Sequence, residues 1–520
     1  MILQKPPVRS SVSANSSFQD GKTTPQDGLN QVNAIHLSDI AADLFLEADQ
    51  DSEVELMVES ESVRKKLDWI IVPIVAITHA LQFLNKTSLN YASAYGLIAD
   101  VGLEGQRYSW VASTFNFGFL FWSIPTNLII QRVPIGKYTG INILIWALLM
   151  CCHAAVTNYS SMLAIRFILG MFEAAIAPSA MNIISMWYPR NEAPFRMCIV
   201  LGFNGLAAMV GALLGFGVGH VHDVAIHPWQ LIFIVIGGIN FLWGIVFLLV
   251  VPDTPKNARF LSHREKVVAT WRASKSMVGI KTKEFKLKQA IEALCDFNVW
   301  CTTILGATAG IIIGGIGNFA TSLIKGFGFP ATLLQLPLGG FAFVMVPICG
   351  FAATYFGNYR CLTLILISLP PLGGLIGIRV TSLDHRWVLL GCSWLQLLAL
   401  ALIVLVWTLL TANVGGHTKR SVANGMWFLF FGAGNIGGAN VFFAREAPRY
   451  FSAITALIVC YGVTILTAAT LWIYMTLENR RRNRRLAESG ETLDHSEREA
   501  ILQGVQDRTD RQSQGFRYAT

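Results

Sequence analysis

Charged side chains are scarce in this sequence. Of its 520 residues only 14% are Asp, Glu, Lys or Arg, whereas 53% are hydrophobic. A soluble protein of this size carries about 25% charged residues. The composition therefore excludes an ordinary soluble domain and predicts a polytopic membrane protein.

Several common signals are also missing. Residues 1–61 are polar and become acidic, with no basic stretch before an apolar core, so we expect no cleavable signal peptide. None of the nine cysteines forms a C-x-x-C pair, which argues against a zinc or redox motif. The chain has no P-loop, G-x-S-x-G or H-E-x-x-H string. We therefore expect no ATP-driven transport, no enzyme activity, no cofactor and no metal.

Hydrophobic runs of membrane-spanning length recur about twelve times. They predict an all-α fold with spans near 69–90, 108–130, 139–157, 160–184, 197–219, 230–251, 297–320, 331–355, 360–379, 387–411, 421–443 and 451–477. The predicted plan has five parts: an N-terminal tail (1–63), a six-helix half (64–252), a central loop (253–296), a second six-helix half (297–478) and a C-terminal tail (479–520). Residues 1–61 and 487–520 are polar and are predicted to be disordered.

Basic residues are concentrated on the side of the membrane that carries both termini. They occupy the short loops of that side, the central loop and Arg480–Arg485, just after the last span. This bias predicts cytoplasmic termini. It is the pattern of membrane topology rather than of a groove that follows phosphates, so we expect no nucleic-acid partner despite the net charge of +8.

Two charges lie inside the fourth span. Arg166 and Glu173 are seven residues apart, so about 700° of helical turn puts both on nearly the same face, about 10 Å apart along the axis. Each costs roughly 2.5–3.5 kcal/mol at the centre of a membrane helix. They predict an ion or substrate pathway, and a structural charge network is the alternative. Gly170, between them, would allow close approach of another helix.

Lys86 is the charge of the first span, and it lies in a polar patch that includes Asn85 and Asn90. It could hold a substrate carboxylate as a point charge. The alternative is a lysine that reaches to the membrane interface.

The second half has no obvious charge inside a span. A cavity with fixed positive charge on one side and amides on the other suits a small monoanionic organic acid. The abundant Phe, Trp and Leu residues are predicted mostly to face lipid or to pack the helices, and not to form an aromatic cage. The amides are Asn318, Gln335, Asn413, Asn424, Asn435 and Asn440.

Six separated strings carry a family resemblance: L-N-K-T-S-L-N-Y-A-S from Leu84, R-F-I-L-G-M-F-E-A from Arg166, M-W-Y-P-R from Met186, P-D-T-P from Pro252, G-N-I-G-G from Gly434 and E-A-P-R-Y from Glu446. Together with the six-plus-six plan, they make residues 64–478 similar to the anion:cation symporters of the major facilitator superfamily. Within that family they resemble particularly the fungal allantoate-permease-like branch.

The resemblance implies roles for particular residues. Arg166 and Lys86 would bind the substrate anion and Glu173 would carry the proton. Asn85 stands where the family usually has Asp, so one of two expected proton sites is missing. The remaining residues that the resemblance assigns to the substrate cavity are Phe119, Asn204 and Asn435.

These observations predict a secondary active transporter that takes up a small organic anion of carboxylate, vitamin or ureide type together with protons. We expect a monomer in the plasma membrane. An exporter of the same fold remains an alternative, although span five lacks the Gly-Pro string of many drug exporters. A non-transporting nutrient receptor is the other alternative.

Overall fold

In the computed structural model of the chain, the described residues are 53–130, 132–188, 192–219, 221, 226–274, 286–327, 334, 336–355, 359–447, 449–489, 509–513 and 516–520. Predictions about 1–52, about the amide of Gln335 and about the middle of the central loop, 275–285, lie outside this part of the chain.

Twelve helical spans lie within the described residues, which confirms the predicted all-α plan of two six-helix halves. A span surrounded by lipid must satisfy its own backbone hydrogen bonds, and the helix does so within one segment. Nine spans are long and apolar enough to cross a membrane by composition alone, and spans two, eight and eleven are shorter or more polar. The twelve are Glu53–Ser93, Arg107–Ile130, Ile135–Cys152, Tyr159–Glu173 with Ile176–Trp187, Ala193–Gly219, Pro228–Val250, Phe297–Gly326, Leu336–Tyr355, Arg360–Val380, Arg386–Trp394 with Ala399–Asn413, His417–Asn440 and Phe451–Ser489.

The first span begins earlier than the sequence predicted. Its helix starts at Glu53, so the prediction of disorder is wrong for residues 53–61. The reason is a set of contacts from elsewhere in the chain. Arg264 Nε donates to Glu59 Oε2 at 2.9 Å, and Lys66 Nζ donates to both carboxylate oxygens of Glu265 at 2.9 and 2.8 Å.

The helix His263–Ser274, here called the cap helix, packs against the first span and against the second piece of span four, on the side of the first half where the described chain begins at Glu53. We call this side of the protein the terminal face and the opposite side the distal face. Arg272 of the cap helix donates to Glu192 at 2.9 Å. The Lys66 ammonium, through its hydrogen bond, holds the pKa of Glu265 below its usual 4.5. The cap helix is therefore fixed to the first half by several charged contacts.

The second half is covered on the same face by a different segment. Residues 509–513 and 516–520, here called the carboxyl-terminal segment, lie against the ends of its spans, and Tyr518 is only 4% exposed. The prediction of a disordered tail is thus wrong for these residues and for 487–489, which continue the last helix. The polar composition that predicts disorder takes no account of the partners that the folded half supplies.

Spans two and five of the first half contact spans seven, eight and eleven of the second half. Near the distal face, Tyr108 Oη donates to the backbone oxygen of Asn318 at 3.1 Å, and Asn440 Nδ2 donates to Ser113 Oγ at 2.8 Å. Spans five and eight meet through glycines, where a Cβ on Gly205 would strike the backbone of Phe343. The space left between the halves holds the candidate site.

Candidate functional site

A cavity of about 190 Å³ lies between the two halves. Both halves contribute to its wall, as expected for a site that alternates between the two sides of a membrane. Its polar and aromatic lining residues include His79, Lys86, Asn116, Phe119, Glu173 and Asn204 from the first half and Trp407, Trp427, Phe428, Phe431 and Asn435 from the second.

Lys86 bridges the halves inside this cavity. Its Nζ donates to Asn435 Oδ1 at 3.0 Å. Asn435 is oriented for this bond, because its Nδ2 donates to the backbone oxygen of Phe431 at 2.9 Å and leaves Oδ1 as the acceptor. The location is inside the protein and not at the membrane interface, which favours a binding role over a snorkelling anchor.

Glu173 lies at a break in span four. The first helical piece ends at Glu173 and the second begins at Ile176. Pro178 explains the break, because proline has no N–H for the carbonyl of Ala174, four residues earlier, and its ring crowds that carbonyl. Next to the break, Gln82 Nε2 donates to the backbone oxygen of Glu173 at 3.2 Å.

The Glu173 carboxylate is completely buried. Among the described residues, neither of its oxygens has a hydrogen-bond partner of good geometry. The Asn85 side chain makes a weaker hydrogen-bond contact with the carboxylate, and Arg166 and Lys86 act on it through their charge. A buried carboxyl with two cations nearby and free oxygens is suited to binding and releasing a proton.

Arg166 is placed differently from the prediction. It is 1% exposed, and its guanidinium carbon lies 5.8 Å from the centroid of the Phe233 ring in span six. It is not among the residues that line the cavity, so Arg166 and Glu173 do not share the cavity wall in this conformation. The separation of about two helical turns puts Arg166 closer to the distal face and among the helices of its own half.

The superfamily model of the major facilitators matches residues 75–439. The chain belongs to the major facilitator superfamily. Allantoate permease of Saccharomyces cerevisiae is 31% identical over 93% of this chain and 91% of its own. A protein of Schizosaccharomyces pombe described as an uncharacterized transporter is 35% identical over 88% and 87%. These relatives confirm the resemblance to allantoate permeases and the prediction that the chain is not an enzyme.

A solved structure shows the same fold. It is a bacterial homologue of the human lysosomal transporter Spinster, with a TM-score of 0.56 and 14% identity, covering 78% of this chain and 96% of the bacterial one. At this identity the likeness shows the fold of this major facilitator protein and nothing about its substrate.

Asn85, predicted to bind substrate in this major facilitator protein, points into the first half. Its Oδ1 accepts from Asn240 Nδ2 at 2.7 Å, and Asn240 Oδ1 accepts from Trp146 Nε1 at 3.2 Å. Successive helix residues are about 100° apart, so Lys86 faces the cavity and Asn85 faces spans three and six. Asn85 is therefore a helix-packing residue in this conformation.

Asn204 and Phe119 both line the cavity. Asn204 Oδ1 is buried and has no hydrogen-bond partner among the described residues. It is therefore free to accept a bond from a substrate N–H or O–H group. Of the amides proposed in the second half, Asn435 is the one found in the described lining.

The second half contributes an aromatic wall to the cavity of this major facilitator protein, and this wall was not predicted from the sequence. The rings of Trp427 and Phe431 stack at 5.2 Å with an interplanar angle of 7°, and Trp407 stacks on Trp427 at 6.4 Å and 14°. The assignment of aromatic residues to lipid or packing is wrong for these side chains. The spacing of four between Trp427 and Phe431 puts them on one helix face, but the sequence does not reveal that this face meets the cavity.

Proposed function

We propose that this protein is a proton-coupled importer of a small organic anion. The proposal depends on one observation, that a single cavity between the halves is lined by both the Lys86 ammonium and the Glu173 carboxyl. A relative named for allantoate, an organic anion, supports the substrate class. The proposal places the protein in the plasma membrane with its terminal face in the cytoplasm, in agreement with the excess of basic residues on that face.

Lys86 is the proposed direct partner of the substrate carboxylate. At present its Nζ bonds to a neutral amide, Asn435 Oδ1, at 3.0 Å. An anionic oxygen is a stronger acceptor than an amide oxygen, so a carboxylate would compete for the ammonium. Arg166 is the proposed second cation. Two of its guanidinium nitrogens lack a hydrogen-bond partner among the described residues, but it lies behind the cavity wall, so its effect on the anion would be through the field.

Glu173 is the proposed proton carrier. It is the one carboxyl among the described lining residues of the cavity, and Asn85 cannot titrate. In the proposed cycle the site opens to the distal face with Glu173 protonated. The anion then pairs with Lys86, the halves rock, and the substrate is released at the terminal face as Glu173 loses its proton.

The aromatic wall and the free Asn204 oxygen are proposed to bind the remainder of the substrate. Stacked rings offer a flat apolar surface, and a substrate N–H or O–H could reach Asn204. The combination favours a compact anion with a flat or amide-containing body over a purely aliphatic acid.

Uptake into proteoliposomes tests the proposal. A panel of labelled carboxylates is offered with and without an inward proton gradient, and Glu173→Gln is compared with the wild type. We expect the variant to lose accumulation above equilibrium but to keep substrate exchange, because glutamine preserves shape and cannot carry a proton. Asp384→Asn, an exposed acid in a distal loop, is the matched control and should accumulate normally.

The possible results separate the alternatives. Full pH-driven accumulation by Glu173→Gln would refute the role of Glu173. Substrate binding without flux in the wild type would favour a receptor. Efflux driven by the opposite proton gradient would favour an exporter.

A further inference from the structure

Two asparagines of the second half bind consecutive peptide groups of the carboxyl-terminal segment. Asn413, at the end of span ten, accepts from the Ala519 N–H at 2.7 Å and donates to the Ala519 oxygen at 3.0 Å. Asn479, in span twelve, makes the same pair of bonds to Tyr518, at 2.9 and 2.8 Å. Both asparagines therefore bind the main chain itself, as a receptor for an extended peptide does.

A buried charge anchors the other end of the segment. Lys419 is 0% exposed, and its Nζ contacts Asp510 Oδ1 at 2.7 Å and Glu292 Oε1 at 3.0 Å as well as the carboxylate of Asp296. Arg511 Nη2 of the segment adds a contact of 3.2 Å to Asp296. The segment thus contributes one acid and one base to a cluster whose other members are Lys419 of span eleven and the acids Glu292 and Asp296 at the end of the central loop.

Tyr518 joins these two groups of contacts. The guanidinium carbon of Arg482 lies 4.8 Å from the centre of its ring, and its hydroxyl donates to Asp510 Oδ2 at 2.9 Å. Burial, with the nearby Asp510 carboxylate adding to it, raises the pKa of Tyr518. The phenol consequently keeps its proton and remains a donor to Asp510.

On the terminal face of the first half, the cap helix lies where the carboxyl-terminal segment lies on the second half. There Arg196, near the start of span five, binds Asp68 of span one at 2.7 Å. In the second half the corresponding residues are Lys419, near the start of span eleven, and Asp296, immediately before span seven. In each half, the ionic cluster is covered by the segment that follows the last span of that half: the cap helix after span six and the carboxyl-terminal segment after span twelve. The carboxyl-terminal segment is thus the counterpart of the cap helix.

We infer that the terminal face of the second half is a peptide-binding site whose occupant is the protein's own carboxyl-terminal segment. Asn413 and Asn479 bind the main chain of the segment, and Lys419 binds its acid. The segment connects spans seven, ten, eleven and twelve and is a fixed part of that half. This inference does not depend on which substrate the cavity binds.

Hydrogen–deuterium exchange of the full-length protein in detergent tests the inference. In the wild type, the amides of residues 516–520 should exchange at least about tenfold more slowly than in a synthetic peptide of the same sequence. Asn479→Ala and Asn413→Ala should each accelerate this exchange about tenfold, because each removes two hydrogen bonds. Asn127→Ala is the matched control, since Asn127 is exposed and bonds only within its own helix, and it should change nothing.

A third variant changes the segment alone. Tyr518→Ala removes the ring and the hydroxyl without altering any span, so folding of the membrane helices is preserved, and it should also accelerate exchange. The inference is overturned if the wild-type segment exchanges as fast as the free peptide. It is equally overturned if all three variants leave the exchange unchanged.

Discussion

Replacing Gly170 with alanine tests how closely span four must approach span two. A Cβ on Gly170 would overlap the backbone oxygen of Phe115 and lie 3.0 Å from both the Phe115 carbonyl carbon and the Phe119 nitrogen. Gly118 of span two makes the reciprocal contact, with its added Cβ against the backbone of Phe167. Backbone atoms cannot rotate away as a side chain can, so the two helices would have to separate.

The expected magnitude comes from a comparison of two alanine variants. In a helix interior, glycine to alanine stabilises by about 0.5–1 kcal/mol through the backbone. Gly238→Ala should show only this gain, because an added Cβ there meets nothing within 4 Å. Gly170→Ala has the same gain, but overpacking costs about 1–3 kcal/mol. The difference between the variants should therefore be about 1–3 kcal/mol.

Thermal unfolding in detergent, followed by tryptophan fluorescence, measures this difference. For a unit of 150–250 residues, about the size of one half, 1 kcal/mol shifts the midpoint by about 2–4 °C. Gly170→Ala should therefore melt about 2–12 °C below Gly238→Ala. It should also transport more slowly, since Phe115 and Phe119 line the cavity. If both variants melt together, the close contact between spans two and four does not exist.

Three further perturbations have defined outcomes. Asn240→Ala should lower the free energy of unfolding by about 1–3 kcal/mol because it leaves the buried Asn85 oxygen without its donor. An unchanged thermal midpoint would contradict the hydrogen bonds that connect Trp146, Asn240 and Asn85. Pro178→Ala restores the missing backbone donor, so it should raise the thermal midpoint and slow initial uptake, and faster uptake would show that the break in span four is not needed. The pKa of Glu265 is lowered by Lys66, so the stability that this pair contributes is present above pH 4.5 and is lost as the pH falls below it. The protection of the cap-helix amides, taken relative to the intrinsic exchange rate at each pH, should accordingly be weaker at pH 4 than at pH 6, and Lys66→Met should reduce this difference.

The fold was predictable because it follows from local composition. Nine of the described spans are apolar runs of sufficient length, and the short loops between the spans fix the order of the helices. Span four was predicted as one continuous helix, although Pro178 indicates a break in it. Because proline disrupts the helix about four residues before itself, the sequence also indicates that the break comes directly after Glu173.

The site was predictable only in part. The sequence identifies Lys86 and Glu173 as charges inside membrane spans, which are energetically unfavourable unless they have a function, and the structure places both at one cavity. The sequence does not reveal which face of each helix meets the other half. Asn85 and Arg166 were therefore expected at the cavity, but they lie within the first half. The aromatic wall was missed for the same reason. Apolar side chains at a cavity and apolar side chains facing lipid have the same sequence pattern.

The covering of the second half could not be predicted from local sequence. Asn413 and Asn479 lie 106 and 39 residues from the main-chain groups they bind. Nothing near residues 509–520 indicates that such partners exist. Polar segments are predicted to be disordered when their partners are remote in the chain.

The cap helix and the carboxyl-terminal segment are synthesised at different times. The first half can complete its ionic cluster once residue 274 has left the ribosome, before any span of the second half is made. The second half has to wait for residues 509–520, with Asn413 and Asn479 unoccupied until then. A nascent chain that stops before residue 509 would thus have a covered first half and an uncovered second half.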